Sequence, residues 1–145
     1  MASTVKNIAK SRLMSALLDL DEAGDDVRAI LVCTNTTADT DVDADNTSGY
    51  TLDEMDGANY ARKTMDTQAV ATDDANDRAE FDADDLVYTS LGNGTRQVQG
   101  VLLHEFITDD TASFPIVFVE FTATINPGGS TLTVQWNAEG VLQIA

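Results

Sequence analysis

The chain has 145 residues, and its 25 acidic against 8 basic side chains leave a net charge of −17. That length suits one domain with a sizeable core, while an acidic body repels phosphates and so argues against nucleic acid as a partner. The single cysteine, Cys33, excludes an internal disulfide, and no apolar stretch is long enough to cross a membrane as a helix.

Charge divides the sequence. Twenty of the acids lie between Asp19 and Asp85, whereas residues 1–18 carry none and hold Lys6, Lys10 and Arg12. The apolar run that follows, 13–18, superficially resembles a secretory leader. It is only six residues long, Asp19 ends it and no small-residue cleavage site follows, so it reads as a mature segment. Taken as a helix, the segment places Val5, Ile8, Leu13, Ala16, Leu17 and Leu20 near one face. Residues 1–20 are therefore set apart as an arm, helical or extended, and 21–145 as a single β domain. The arm has two readings: it packs on its own domain, or it docks on a neighbouring subunit through Ile8, Arg12, Leu13 and Leu17, drawn by an acidic body. Three charges and one apolar face make a weak membrane anchor, so no membrane partner is expected.

Residues 21–26 form a polar break around Gly24, and 27–33 (VRAILVC) are the first predicted strand. The stretch 34–48 (TNTTADTDVDADNTS) is too polar to bury a core and rich in turn formers, which predicts a long surface loop. Thr51-Leu-Asp-Glu54 fits a capping box for one helical turn, stopped by Gly57. Short strands are expected at 60–65, 67–71, 78–81 and 86–88, with a turn at Gly92-Asn93-Gly94 and a long strand at 97–107. The run 116–121 (IVFVEF) suits a strand packed on both faces. Asn126-Pro127-Gly128-Gly129 then reverses the chain into the alternating strand 131–136, and a turn at 137–140 leads into 141–144. These last three strands predict an antiparallel meander whose core holds Val117, Phe121, Leu132, Val134 and Trp136. About nine short strands separated by regular turn signals predict an all-β fold, an antiparallel β-sandwich or jelly roll with a short N-terminal arm.

Candidate chemistry is sparse. Asp39, Asp41, Asp43 and Asp45 begin like a calcium loop, but Ala44 and Tyr50 stand where glycine and glutamate belong. A solvated acidic loop is expected there, with loose calcium binding as the other reading. His104 is the sole histidine, it lacks a G-x-S-x-G partner, and its alternating position predicts an outward-facing strand residue. Cys33 reads as a small core residue. Gly92-Asn93-Gly94 lacks the lysine and helix of a phosphate loop. No catalytic, metal or cofactor site is predicted, and the chain does not read as an enzyme.

One longer pattern remains. Gly57, Tyr60 and Arg62, followed by Asn76, Arg78, Phe81 and Asp82, precede the apolar strand 116–121. Gly128-Gly129, Thr133-Val134-Gln135-Trp136 and Gly140-Val141-Leu142 close the series, and Ala9-Lys10-Ser11-Arg12-Leu13 opens it. This pattern resembles a family of small phage virion proteins over most of the chain. It departs from the family at Ala58-Asn59, and in its denser acid content. The resemblance implies a capsid decoration (cement) protein on the virion surface, bound to the major capsid protein and assembled as a homotrimer. The alternative it leaves is a tail-associated or receptor-binding adhesin that uses the 34–48 loop.

Overall fold

The computed structural model describes residues 2–21 and 24–144. β1 (Ala2–Val5) leads through Lys6 into the one helix, α1 (Asn7–Met14), and β2 (Val27–Cys33) opens the main body. β3 (Lys63–Thr64), β4 (Ala69–Asp73), β5 (Arg78–Asp82) and β6 (Leu86–Leu91) follow. β7 (Val98–Glu105), β8 (Phe114–Ile125), β9 (Ser130–Val134) and β10 (Leu142–Ile144) complete the fold. All ladders are antiparallel: a five-stranded sheet in the order β1-β8-β7-β2-β3, a three-stranded sheet β10-β5-β4 and a pair β6-β9. The fold is all-β and sandwich-like, as its sequence pattern predicts.

The five-stranded sheet is apolar on both faces, which is why 27–33 and 116–121 are near-continuous apolar runs. One face carries Ala29, Leu31, Val101, Leu103, Val117 and Val119. It packs against Phe81 and Leu142 of the three-stranded sheet, Leu86, Tyr88 and Val134 of the pair, and Ala9, Leu18 and Leu20. Trp136, 8% exposed, joins this core and donates from its indole Nε1 to the Asp84 carbonyl at 3.1 Å. On the opposite face Ile30, Val32, Leu102 and Phe118 meet Ala38 and Tyr50. The Phe118 ring lies over Gly100, where a Cβ would come within 2.7 Å of it, so that strand position admits only glycine without displacement.

Four expectations are corrected. The predicted meander does not form, because β8, β9 and β10 lie in three different sheets. The Pro127–Gly129 bend does reverse the chain, with Gly128 and Gly129 at φ +64° and +85°. Its backbone, however, bonds outward: Gly129 N–H donates to the Leu91 carbonyl at 2.8 Å and Gly128 N–H to Asn93 Oδ1 at 2.8 Å. That anchors β9 beside β6, with Leu86 opposite Val134. Secondly, Thr51–Glu54 is not helical, since Glu54 bridges to Val32 and extends the coverage of the sheet. Thirdly, the 34–48 loop is no mere surface loop, because Ala38 and Thr47 are fully buried and close the second face of the sheet. Finally, residues 2–5 are a strand paired with β8 rather than the start of a helix.

Candidate functional site

Every basic side chain of the sequence is engaged within the chain. Arg62 binds Glu54 at 2.7 Å and Asp110 at 2.5 Å, and Tyr60 donates its hydroxyl to Glu54 at 2.9 Å. Arg78 joins Asp73, Glu80 and Glu139, Arg96 pairs with Asp53, and Arg28 pairs with Asp26 while stacking 3.6 Å above the Phe106 ring. Lys63 lies over the Tyr88 ring, and Lys10 donates to Asn7 Oδ1. These pairs brace loops and strand ends.

Three buried ionisable groups, Lys6, His104 and Glu105, were not foreseen. Lys6 is fully buried beneath the acidic loop, its ammonium donating to the Ala38 carbonyl and, at 2.7 Å, to the Asp41 carbonyl, with the Tyr50 ring 5.1 Å away. Burial pulls its pKa down to about 8, against the opposing pull of Asp41 and Asp39. The acidic loop is thus folded around a cation, and its carboxylates serve its own shape. Asp41 accepts from the Asp43 N–H at 2.8 Å, Asp43 from Asn7 at 2.7 Å and Asp39 from Gln99 at 3.1 Å. Among the described residues no group of three or more His, Cys, Asp or Glu side chains converges to hold a metal ion.

His104 is the second such group and corrects the outward-facing expectation: it is fully buried on the loop-covered face. The Thr47 hydroxyl donates to the Ser113 carbonyl at 3.3 Å and is hydrogen-bonded to His104 Nδ1 at 3.2 Å. The other ring nitrogen, Nε2, has no hydrogen-bond partner. Desolvation, reinforced by the nearby Arg62 charge, lowers its pKa to about 4. Cys33 is buried as expected, with its thiol pushed up to about 11 by burial and by Asp53.

The predicted interface residues part company. Arg12 turns inward and grips Glu105 through Nε at 3.0 Å and Nη2 at 2.7 Å, its guanidinium 4.0 Å above the Phe114 ring. Glu105 is 2% exposed, and burial raises its carboxyl pKa against the pull of Arg12. Ile8 is half-buried. Leu13 lines a groove of about 300 Å³ with Leu18, Leu20, Val70, Phe81 and Ile144, and Leu17 stands 60% exposed in the turn before Leu18. That turn ends α1 by a 6→1 bond from Leu17 N–H to the Arg12 carbonyl and a left-handed Ala16 at φ +52°.

The groove has a simple origin. Cross-strand register puts Val70, Phe81 and Leu142 in one row and Ala79 beside Ile144 two residues on, all on one face of the three-stranded sheet. The arm covers Phe81 and Leu142 but leaves Val70 53% and Ile144 51% exposed, and Met14 stands 89% exposed at the end of α1. Asp19, Asp21 and Glu80 also line the groove. Leu13 and Leu17 were legible from helical periodicity; Val70 and Ile144 were signalled only by short alternations in 69–73 and 142–144. Comparison with protein-family models, curated proteins and solved structures returns no match to this chain.

Proposed function

We propose that the chain is a structural component of a phage virion, a capsid decoration protein seated on the outer surface of the major capsid protein lattice. The observation that carries this reading is the apolar groove between arm and three-stranded sheet, with Val70 and Ile144 exposed along it and Leu17 and Met14 exposed on the arm, on a strongly acidic body. An apolar patch of that kind marks an interaction surface, and the charge keeps unassembled copies soluble. The virion-family resemblance over most of the chain supplies the class of partner, and cyclic assembly as a trimer fits its three-fold lattice positions. Burying half-exposed Leu17, Val70 and Ile144 would contribute about 1 kcal/mol each, a useful increment in a lattice of many copies.

Quantitative mass spectrometry of purified particles tests the proposal. A copy number in the hundreds supports a lattice protein, whereas a handful of copies, or none, overturns it. Leu17→Asp with Val70→Asp should cut attachment to shells lacking the protein while leaving the melting temperature near that of the parent. Full occupancy by this double variant would remove the groove from the interface.

A further inference from the structure

β1 and β10 are both edge strands, and they flank one cleft. β1 ends the five-stranded sheet and β10 ends the three-stranded sheet. The cleft, about 390 Å³, is lined by Ser3 and Val5 of β1 on one side and Leu142 and Gln143 of β10 on the other, with Val119 and Trp136 between. The ladder fixes which groups of β1 face it. Val5 lies opposite Val117, and Lys6 N–H donates to the Ile116 carbonyl at 2.9 Å. Antiparallel alternation then turns the backbone N–H and C=O of Thr4 onto β8 and those of Ser3 and Val5 away from it, toward the cleft. An open edge with unpaired donors and acceptors is a template for an added strand.

We infer that this cleft is a strand-acceptor slot for an extended segment of a partner protein, one with alternating apolar side chains flanked by lysine or arginine. An extended residue in a sheet fills about 160 Å³ (roughly 3.3 × 4.8 × 10 Å), so the cleft takes about two to three residues beside β1. Val119 and Trp136 select apolar side chains on the inward face of that segment. Charge selects the flanks: Glu139, 58% exposed, precedes the lining Gly140, and the chain carries a net −17, while no lining residue is charged. Arg78 pairs with Glu139 and offsets part of its charge. The field of a chain at −17 favours a basic-flanked strand at this edge over a like-charged second copy, whose trimer contacts would lie on other surfaces. The inference stands apart from the virion reading, because none of its readouts requires a capsid.

The test uses the full chain and the heptapeptide Lys-Thr-Val-Thr-Val-Thr-Lys, with two controls: an Asp-flanked version and one N-methylated at both valines. Trp136 is the only tryptophan and lines the slot, so its emission reports occupancy directly. The lysine-flanked peptide should shift that emission saturably and slow amide exchange at Ser3 and Val5 about tenfold or more, while Thr4, already paired with β8, changes little. Ser3→Pro removes one outward N–H at a position where an edge strand tolerates proline, and should weaken binding about tenfold, the equivalent of one lost hydrogen bond. Ser3→Lys keeps every backbone group in place and should weaken the lysine-flanked peptide selectively. Unchanged emission and exchange at millimolar peptide overturn the slot, as does undiminished binding by both variants. Protection of Ser3 and Val5 that grows with protein concentration alone would instead assign the edge to a second copy.

Discussion

His104 gives the structure its sharpest thermodynamic prediction. The ring is fully buried, its Nε2 has no hydrogen-bond partner, and its pKa falls from 6.5 to about 4. A histidine whose folded pKa is depressed binds a proton more readily when unfolded. Its neutral-state advantage is therefore complete above the unfolded pKa and is lost as pH falls through 6.5 toward 4. At pH 4 the loss comes to about 3 kcal/mol, from roughly 2.2 decades at 1.36 kcal/mol each. His104→Leu removes the titrating ring and its orphaned nitrogen, while the Thr47 hydroxyl keeps its Ser113 acceptor. The variant should lie within about 1 kcal/mol of the parent at pH 7 and exceed it by roughly 2–3 kcal/mol at pH 4. Urea unfolding at the two pH values measures both differences. The carboxylates titrate in both proteins, so Asp110, held low by its bond from Arg62, and Glu105, raised by burial, largely cancel in the comparison. Parallel pH profiles for the two proteins, or a His104 ring titrating near 6.5 by NMR, would refute the reasoning.

Arg12→Ala leaves the buried Glu105 without its cation and should cost about 3 kcal/mol in chemical unfolding, with Glu105→Gln in the same chain recovering much of it. Trp136→Ala should cost about 3 kcal/mol or more, and its fluorescence before mutation should be that of a shielded indole. Leu18→Asp should unfold the chain, whereas Leu17→Asp, one residue earlier and 60% exposed, should leave the melting temperature almost unchanged. Deleting residues 1–18 should abolish folding, because it strips β1 from β8 and the Ala9 and Leu18 contacts from the core. A truncated domain that melts as the parent does would show the arm to be detachable.

Strands were legible where alternation or a continuous apolar run recorded burial: β2, β5 and β7 lie close to their predicted bounds, β8 runs beyond its predicted 116–121 at both ends, and Trp136 is buried as its pattern requires. Pairing was not legible. Alternation in 131–136 says that one face is buried, but the Leu86-to-Val134 register is a contact across 48 residues of sequence that no local signal encodes. The reversal at Pro127 to Gly129 therefore looked like a hairpin when its N–H groups were committed to Leu91 and Asn93. His104 was misplaced for a related reason. Its outward position in β7 assumed solvent on the second face, and that face is roofed by a stretch whose polarity concealed Ala38, Thr47 and Tyr50. Of the candidate groove, the helical half was visible in sequence and the strand half was not, since the row of Val70, Phe81 and Leu142 exists only once three strands are in register.

The charge distribution ties these observations together. The +3 of residues 1–18 looks in sequence like an attraction held in reserve for a neighbour, and the structure already engages it. Lys6 holds the carbonyls of the acidic loop, Arg12 holds Glu105, and Lys10 bonds Asn7. Five arginines take eight carboxylates into ion pairs, and the three lysines are held by carbonyls, by Asn7 and by the Tyr88 ring. The net −17 consequently faces outward with little local relief. A like-charged copy approaches such a body only against repulsion that fades as the Debye length shrinks from about 10 Å at 0.1 M salt to about 3 Å at 1 M. Self-association should thus strengthen with salt, and capture of a basic-flanked strand should weaken. One salt titration of attachment and of peptide capture separates the groove from the slot, because apolar burial at Leu17 and Val70 survives screening while attraction of a basic flank to the acidic body does not.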